Sequence, residues 1–486
     1  MRRDTTFVFF AFSLLCLAVV PRMFDRGMFL DGITYAALAR NLAEGRGSLW
    51  HPHYTETVYP DFHEQPTLGI GLQAIAFRVF GDHLFVERLY SFVVAVLTFA
   101  LMMWTWHASR HLAGDRIGSW VAPVLWITAP VVSWALSNNM LEATQTMFAL
   151  LAVGAMLESL RRQGTSRVAW GFAGGVGVAV AVLVKGPVGL FPLAVPWAYW
   201  VAALLTRPPD GAAERRFSRV LTVALCQLVG TAVVCTAVWS YGPARDGLRA
   251  YVAQQLRPTL TGSRETSAHR LRFAKTTAQE VLPMAVLAGV TLLLARRRGA
   301  DRATPLDRHR AATFFLLGCA ATVPLGISPK QSGHYVVPAM PMFALGFASL
   351  IASRMESLLQ SARAARWARN AAVLLLTATA LGAFVRWVAP WRDAARLRDL
   401  DRVLAVVPPG TTVHLCPQAQ MDWSLHAYAQ RLARISLDSQ RTRRQWGMAP
   451  ANSACVVPRT CRLVPIGTST LVLYECGTRG DKPTKQ

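Results

Sequence analysis

Long apolar runs, most of them separated by short loops, dominate the pattern of this chain. Eleven runs approach the roughly 20 residues that a helix needs to cross a hydrocarbon core. They cover residues 6–21, 87–106, 117–136, 141–160, 168–184, 188–205, 220–241, 278–294, 311–327, 335–352 and 371–388. No A-x-A cleavage site follows the short first run, so we expect an uncleaved span there. The pattern predicts an all-α polytopic membrane protein.

Three longer polar segments interrupt or follow these runs: 22–86, 242–277 and 389–486. In the last segment, "TTVHLC" and "STLVLYEC" are typical of strands, and "WSLHAYAQRLA" between them is typical of a helix. We therefore predict a transmembrane domain over 1–388 and a small α/β domain over 389–486.

Four of the eight cysteines lie in that last segment, whereas the other four lie within predicted spans. An even set of cysteines outside the membrane indicates two disulfides in an oxidising compartment. The candidates are Cys416, Cys455, Cys461 and Cys476. Three pairings are possible, and four free thiols are the alternative.

The composition fits this class, because only 16% of the 486 residues are charged, whereas a soluble protein has about 25%. The net charge of +24 suggests nucleic acid at first, but the basic residues sit mostly in short loops. With the N-terminus inside, inner loops gather arginines such as Arg296, Arg297 and Arg298, whereas the short outer loops carry only Lys185 and Lys330. The positive-inside rule explains this asymmetry without nucleic acid.

Ionisable residues avoid the middle of the spans and collect at their outer ends. Glu142 begins the fourth span, Lys185 ends the fifth, and Lys330, His334 and Tyr335 lead into the tenth. An ion-coupled transporter would hold charges near the midplane on broken helices. Charges gathered at the outer ends favour an enzyme whose substrate has a lipid tail in the membrane and a charged head at the surface.

The second outer loop is basic, against the positive-inside trend. Its basic residues are Arg245, Arg249, Arg257, Arg264, Arg270, Arg272 and Lys275. They fit anchoring to anionic lipid head groups. They also fit neutralisation of a phosphate or pyrophosphate on a lipid-linked substrate, for which the arginine donor fork is suited.

The first outer loop predicts two helices that lie flat at the membrane interface. Asp31 is placed to cap a helix over 32–44, and "PTLGIGLQAIAFRVFG" predicts the second. The loop between them contains several residues of the types that can coordinate a metal ion. These are His51, His53, Asp61, His63 and Glu64. A divalent ion such as Zn²⁺ or Mg²⁺ on Glu64 and His63 is one interpretation, and a polar loop facing water is the other, since no tight ligand spacing such as H-E-x-x-H occurs.

Three blocks in order resemble a known family. The block "MFLDGITYAALARNLAEGRG" with "YPDFHEQPTLGIGLQAIAFRVFGDHLFVERLYS", then "LVKGPVGLFP", then "KQSGHYVVPAMP" is similar to the protein O-mannosyltransferase and aminoarabinose-transferase group. These are glycosyltransferases of the GT-C class. The resemblance implies a sugar donor carried on polyprenyl phosphate. It also implies a site on the periplasmic face of the bacterial inner membrane, and the charge asymmetry of the loops predicts a cytoplasmic N-terminus.

The resemblance also implies roles for individual residues. Asp31 matches the catalytic aspartate, Glu64 the acid of a Glu-Lys-Pro turn that binds metal in some members, Lys185 the lysine of Lys-Gly-Pro, and Tyr335 the tyrosine of Tyr-Leu-Leu-Pro. We expect Asp31 to act as the base or to orient the acceptor. The candidates for binding substrate or phosphate are Tyr35, Glu142, Lys185, Arg257, Arg264, Arg270, Lys330, His334 and Tyr335.

Three departures from the family pattern concern the substrate. Gly32 replaces a residue that is often acidic, Thr34 replaces the arginine of aminoarabinose transferases, and Gln65 replaces a lysine. The last two remove positive charge and argue against aminoarabinose transfer to lipid A. The expected acceptor is lipid A, a glycolipid, a polysaccharide or a protein. One displacement at the anomeric carbon predicts inversion. We expect a monomer that contacts membrane lipids and no nucleic acid.

Other classes of function stay open. The nearest enzymatic alternative is another lipid-dependent envelope transferase, such as a ligase or polymerase. A lipid-linked sugar flippase would move its substrate without cleaving it, and the lack of charges at the midplane argues against it. A non-catalytic lipid-binding scaffold would have no need for Asp31 and Lys185 to act together.

Overall fold

The structure is a computed structural model. It describes residues 3–109, 118–206, 213–263, 271–299, 307–389, 391–440, 444–451, 453, 455 and 457–477. The chain forms two compact units. The helical unit comprises Met1–Arg22, His63–Gly69 and Arg88–Phe384, and the mixed unit comprises Met23–Phe62, Ile70–Glu87 and Val385–Gln486. This division differs from the predicted boundary at residue 388, because most of the first outer loop packs with the C-terminal segment.

Helices make up most of the described chain. They are α1 Arg3–Met23, α2 Leu30–Ala43, α3 Leu68–Phe80, α4 Val86–Ala108, α5 Val121–Ile127, α6 Pro130–Ser137, α7 Leu141–Arg161, α8 Gly164–Lys185, α9 Val195–Thr206, α10 Ala213–Ser240, α11 Gly242–Tyr251, α12 Arg257–Thr261, α13 Arg272–Arg297, α14 Arg308–Thr322, α15 Met340–Leu358, α16 Ala362–Val388, α17 Ala394–Leu404 and α18 Trp423–Ala433. A π-helical turn, Val252–Leu256, joins α11 to α12. Segments of 3₁₀ helix cover Pro187–Ala194, Val323–Ile327, Gly333–Ala339 and Pro417–Ala419.

Ten helices in the described part of the chain are long and apolar enough to cross a membrane. The protein is therefore a multi-pass membrane protein. The predicted span 117–136 is not one continuous helix, because α5 and α6 are separated at Thr128 and Ala129. Pro130 has no N–H to donate to α5, and it disfavours helical geometry at Ala129, whose ψ is 117°.

The centre of the helical unit is formed by α7 and by the span Gly333–Leu358. In both, 83% of the apolar stretch is buried. Helix α8 packs between α7 and α10 through a run of glycines. A Cβ at Gly175 would collide with the Gln227 carbonyl of α10, and a Cβ at Gly177 would lie 3.1 Å from Ala152 of α7. Small residues thus bring three spans to close backbone contact, as is common in membranes.

The mixed unit is built around a five-stranded sheet. Its strands are β1 Thr412–Leu415, β2 Ser436–Asp438, β3 Trp446–Pro450, β4 Cys461–Val464 and β5 Leu471–Cys476, in the order β2-β1-β3-β5-β4. β1 is parallel to β2 and β3, whereas β5 is antiparallel to β3 and β4. The predicted α/β fold of the C-terminal segment is confirmed, including its helix α18.

Helix α18 packs on α2, so that residues of the first outer loop complete the core of the mixed unit. Met28 and Ile33 lie in the same apolar cluster as Leu400, Val413 and Leu425. The phenol of Tyr428 accepts from the Met28 N–H at 3.0 Å and donates to the Met28 carbonyl or to Asp393. The predicted helices of the first loop are confirmed, and α2 is a core element of this unit.

Both predicted disulfides are present. Cys416 is bonded to Cys455, and Cys461 is bonded to Cys476. Cys461 and Cys476 are direct partners in the register of β4 and β5, which brings their Cα atoms to 4.1 Å. The bridges tie the edge strand and a loop to the centre of the sheet. The remaining cysteines are free: Cys16, Cys226, Cys235 and Cys319.

A polar face of α2 is buried within the mixed unit. Arg40 is 1% exposed. It donates to the carbonyls of Gln430 and Arg431 at 2.9 and 3.2 Å and to the Asn41 side chain at 2.9 Å. Burial lowers the pKa of Arg40 to about 10, although Asp82 opposes the shift. Arg40 lies where the sequence pattern indicates the solvent-exposed face of an amphipathic helix, but it is a buried structural residue.

Arg431, which is buried, and Arg434, which is half-buried, continue this network. Arg431 lies 2.9 Å from Glu87 and 2.7 Å from Asp82. Arg434 binds both oxygens of Glu44 and lies 3.1 Å from Asp82. Burial opposes the charge on Arg431, but these acids raise its pKa above the ordinary value. The network is balanced in charge and ties α2 and the turn before α4 to α18.

Candidate functional site

A buried ion pair lies where two spans of the helical unit end. Glu142 is in the first turn of α7, and Lys185 is the last residue of α8. Their side chains are 2% and 8% exposed, and Lys185 Nζ lies 2.9 Å from Glu142 Oε1. Each charge is of the sign that its own helix terminus favours, acid at the N-terminus and base at the C-terminus. The other carboxylate oxygen of Glu142, Oε2, accepts no hydrogen bond from the described residues.

His334 joins this pair from a third element, the 3₁₀ segment that leads into α15. Its Nε2 lies 3.5 Å from Glu142 Oε1. The imidazole stacks on the indole of Trp134, with ring centroids 5.7 Å apart, and meets Tyr335 edge-on at 4.9 Å. The predicted residues Glu142, Lys185 and His334 therefore form one cluster, with Tyr335 beside the histidine. We call Glu142, Lys185 and His334 the ion cluster.

The turn after Lys185 has a shape that only glycine fits. Gly186 has φ 99° and ψ −157°, and an added Cβ would lie 2.6 Å from the Tyr251 hydroxyl. Gln145, one turn after Glu142 on α7, donates to the carbonyls of Ala181 and Gly186 at 3.1 Å each. These bonds satisfy carbonyls at the end of α8 and hold Lys185 against α7.

Tyr251 belongs to this region, although the sequence pattern does not indicate it. It is buried at the end of α11, immediately before the π-helical turn, and its hydroxyl approaches Gly186. Burial raises the pKa of Tyr251 to about 12, although Lys185 opposes the shift. The phenol therefore stays neutral and can donate a hydrogen bond. π-Helical turns are frequent at functional sites, but residue patterns do not reveal them.

The predicted cationic residues around the cluster have different placements. Arg257 is exposed and begins α12. Lys330 is half-buried in the turn before the 3₁₀ segment, and Gln331 fixes that turn by accepting from the Phe273 N–H at 2.9 Å. Arg264 and Arg270 lie outside the described residues, so their predicted roles remain predictions.

The turn His63–Gly69 also belongs to the helical unit. Pro66 lies 4.0 Å from the position that a Cβ on Gly186 would take, and a Cβ on Gly69 would lie 2.7 Å from Leu141 and 3.1 Å from Val184. His63 is buried and Glu64 is half-buried. No group of three or more metal-binding side chains occurs among the residues that the structure describes. Metal binding by Glu64 and His63 therefore remains a prediction, and we derive no chemistry from it.

In the mixed unit, Asp31 lies in the first turn of α2 and is half-buried. The prediction that it is the N-cap is wrong, because α2 begins at Leu30 and Phe29 holds the cap position without a side-chain hydrogen bond. Leu30, which packs against the apolar cluster of the mixed unit, is the first helical residue instead. The carboxylate still lies at the positive end of the helix dipole. Tyr35, the predicted substrate-binding residue one turn later, is buried.

Tyr54 is another hydroxyl near the start of α2. Its oxygen lies 3.5 Å from Thr34 Oγ1. Burial raises the pKa of Tyr54 above its ordinary value, so the phenol remains neutral. Asn41 fixes the loop that contains Tyr54 by donating to the carbonyls of His53 and Tyr54, both at 2.9 Å. At the position where aminoarabinose transferases are expected to have a charged arginine, this chain therefore has Thr34, which pairs with the neutral hydroxyl of Tyr54.

No protein-family model matches the sequence, and no curated protein matches it. Solved structures do match. The crystal structure of ArnT from Cupriavidus metallidurans bound to undecaprenyl phosphate is 16% identical, with a TM-score of 0.66, over 99% of this chain and 100% of that one. Its apo state gives a TM-score of 0.61 at 16% identity, over 96% and 97% of the two chains.

A second protein matches less closely. The archaeal oligosaccharyltransferase AglB from Archaeoglobus fulgidus, in complex with an inhibitory peptide and a dolichol-phosphate, is 11% identical with a TM-score of 0.51. The match covers 90% of this chain and 64% of AglB. ArnT and AglB both have the GT-C fold.

The chain has the GT-C fold.

The GT-C fold that the resemblance of the three sequence blocks implies is therefore confirmed. Two of those blocks, around Lys185 and His334, supply two of the three residues of the ion cluster. The third residue, Glu142, lies outside every block and was indicated only by its charge at the end of a span.

Proposed function

We propose that this protein is a membrane glycosyltransferase. It transfers a sugar from a polyprenyl-phosphate-linked donor to an envelope acceptor, which is lipid A, a glycolipid, a polysaccharide or a protein. The transfer takes place on the periplasmic face of the inner membrane and inverts the anomeric carbon. The observation that carries the proposal is the buried ion cluster of Glu142, Lys185 and His334 at the ends of spans in a GT-C fold.

The chemistry of the cluster suits a departing lipid phosphate. Lys185 is a point charge held at a helix end, beside the neutral hydroxyl of Tyr251. A cation and a hydroxyl donor stabilise the charge that develops on the phosphate as the glycosidic bond breaks. ArnT has been solved with undecaprenyl phosphate and AglB with a dolichol-phosphate, which supports a carrier of the same class here.

The acceptor must lose a proton as it attacks the anomeric carbon. We assign that proton to Asp31, whose carboxylate lies at the start of α2. His334 and Tyr335 hold phosphate or sugar hydroxyls in this proposal, and Arg257 adds positive charge. A single displacement needs no second carboxylate as a nucleophile, so the product is inverted.

The assay that tests the function uses purified protein and polyprenyl-phosphate sugars, with pentose and hexose donors in parallel. Release of polyprenyl phosphate together with sugar transfer is the expected result. Movement of the intact donor across a vesicle bilayer without cleavage would favour the flippase alternative. Mass spectrometry of envelope glycolipids and glycoproteins from a deletion strain identifies the acceptor.

Asp31→Asn is the variant that tests the base. We expect turnover to fall at least about 100-fold, because the amide cannot take the proton, while the protein remains folded. Asp401→Asn is the matched control, since Asp401 is an acid of the same unit that is 45% exposed and pairs only with the half-exposed Arg26 in the described contacts. Wild-type turnover by Asp31→Asn would remove Asp31 from the reaction.

Metal dependence is tested separately. Elemental analysis of the purified protein measures Zn and Mg per chain, before and after His63→Ala. Stoichiometric metal that His63→Ala removes would support the predicted site at His63 and Glu64. A metal-free protein with full turnover would exclude a resident metal from the reaction.

A further inference from the structure

Helix α6 is a short element in an unusual position. Its eight residues, Pro130–Ser137, follow the break that replaces a continuous span, and they precede α7 by a tight turn. A helix of this length is not stable alone, because its few internal hydrogen bonds do not offset the cost of nucleation. Contacts from elsewhere in the helical unit must therefore hold it.

Both ends of α6 are held by charged side chains from other helices. Glu280 of α13 accepts a hydrogen bond from the Val131 N–H through Oε2 at 2.8 Å. Arg88 of α4 donates to the Ser137 carbonyl and is buried. The anion is at the N-terminus and the cation at the C-terminus, as the helix dipole favours. Glu280 lies within the predicted span 278–294, where an acid needs an explanation.

α6 in turn controls two members of the ion cluster. The indole of Trp134, in the middle of α6, stacks on the imidazole of His334. At the C-terminal end, the Met140 N–H donates to the Ala135 carbonyl at 3.2 Å. This bond closes the turn through Asn139, whose φ is 52°, and sets where α7 and Glu142 begin.

We propose that Glu280 is a positioning residue for the transfer reaction. With Arg88 it holds α6, and α6 places His334 by stacking and Glu142 by chain connection. Glu280 has no direct role in the chemistry. The kinetic part of this inference rests on the proposed function, whereas the placement of α6 does not.

The placement of α6 is tested by hydrogen–deuterium exchange of the protein in lipid nanodiscs. Glu280→Ala should raise exchange in peptides that cover residues 128–142 by at least about tenfold, because the N-terminal end of α6 loses its acceptor. Glu280→Gln keeps an acceptor oxygen and should restore most of the protection. Thr291→Val is the control on α13, since Thr291 bonds only within its own helix in the described contacts, to the Leu287 carbonyl.

The consequence for catalysis is tested with the polyprenyl-phosphate sugar assay. We expect Glu280→Ala to lower kcat about tenfold with little change in KM for the donor, because misplaced groups affect the reacting geometry first. Trp134→Leu should have a similar effect. The double variant should be no worse than either single one, since both act through the same stack.

The outcomes separate the two levels of the argument. Unchanged exchange in Glu280→Ala, or an equal rise in exchange in Thr291→Val, would contradict the proposal that Glu280 holds α6. Faster exchange with wild-type kcat would overturn the positioning role. An absence of transfer by the wild-type protein would overturn the proposed function itself, and the exchange experiment would still decide whether Glu280 holds α6.

Discussion

The two units each contain a buried cluster of charged side chains, and the clusters differ in how completely they are satisfied. In the mixed unit, every guanidinium nitrogen of Arg40 and Arg431 donates to an acceptor, and Asp82 is shared by three arginines. In the helical unit, Glu142 Oε2 accepts no hydrogen bond from the described residues.

This difference separates structure from function. Buried charges are expensive unless they are paired and hydrogen-bonded, and a fully satisfied network leaves no group for a ligand. The network of the mixed unit has three bases and three acids that bond one another and the backbone. In the ion cluster, Glu142 Oε2 keeps hydrogen-bonding capacity, and Lys185 lies near the neutral hydroxyl of Tyr251. The first should matter for stability and the second for turnover.

The largest effect on stability is expected for Arg431→Met. Removing Arg431 leaves Glu87, whose side chain is 6% exposed, buried without its cation, which costs about 3–5 kcal/mol. Chemical denaturation measures this loss of stability, with limited proteolysis of the mixed unit as the readout of unfolding. Arg434→Met, at a side chain 30% exposed, should cost less than about 1 kcal/mol. Lower turnover per folded molecule without a loss of stability would contradict the comparison.

The disulfides of the mixed unit provide a second test of its role in stability. Replacing Cys416 and Cys455 together by serine should lower the free energy of unfolding of the mixed unit by about 2–4 kcal/mol, because the bridge closes a long loop in the unfolded chain. Cys226→Ser, at a free thiol of the helical unit, is the control and should change stability little. If the double variant is as stable as the wild type, the bridge does not constrain this unit.

Glu142→Gln tests the ion cluster. We expect kcat per folded molecule to fall about 100-fold, equivalent to about 2.7 kcal/mol in the barrier, because Lys185 loses its ionised partner. Glu158→Gln is the control at the opposite end of α7, where Glu158 pairs with Arg161 and Arg162. If Glu142→Gln lowers stability by 3–5 kcal/mol (about what a broken structural pair costs) with wild-type kcat, the ion cluster is structural.

A smaller effect concerns pH. Burial opposes the charge on Asp399, but hydrogen bonds from Ser469 and Thr470 lower its pKa below the ordinary value. A depressed pKa contributes stability that is present above the unfolded pKa and is lost as pH falls through the folded one. The mixed unit should therefore lose stability below about pH 4. In Asp399→Asn this part of the pH dependence should disappear, and an unchanged pH profile would contradict the assignment.

The elements were largely predictable from the sequence, because apolar length and charge asymmetry act locally. Ten spans, the α/β fold of the C-terminal segment and the four bridged cysteines follow from such patterns. The break before Pro130 was not predicted, since apolar residues continue on both sides of it. The burial of Arg40 was not predicted either, because its partners come from α18, far away in the chain.

The sequence indicated individual residues of the candidate site, but it did not indicate that they lie together. Glu142, Lys185 and His334 stand out as charges at the ends of spans, but only tertiary packing joins them. Tyr251 depends on a π-helical turn, and Glu280 depends on a helix break in another span, so neither carries a local signal. The N-cap prediction for Asp31 failed because α2 begins one residue earlier, at Leu30, which packs against the apolar cluster of its unit.

The central claim is that the ion cluster serves a lipid phosphate in sugar transfer. The most direct measurement is the single-turnover rate of polyprenyl phosphate release by the wild-type protein and by Lys185→Met, at equal concentrations of folded protein. The account predicts that the rate falls at least about 100-fold, because the leaving phosphate loses its main cation. Equal rates for the two proteins, with Lys185→Met only less stable, would contradict it.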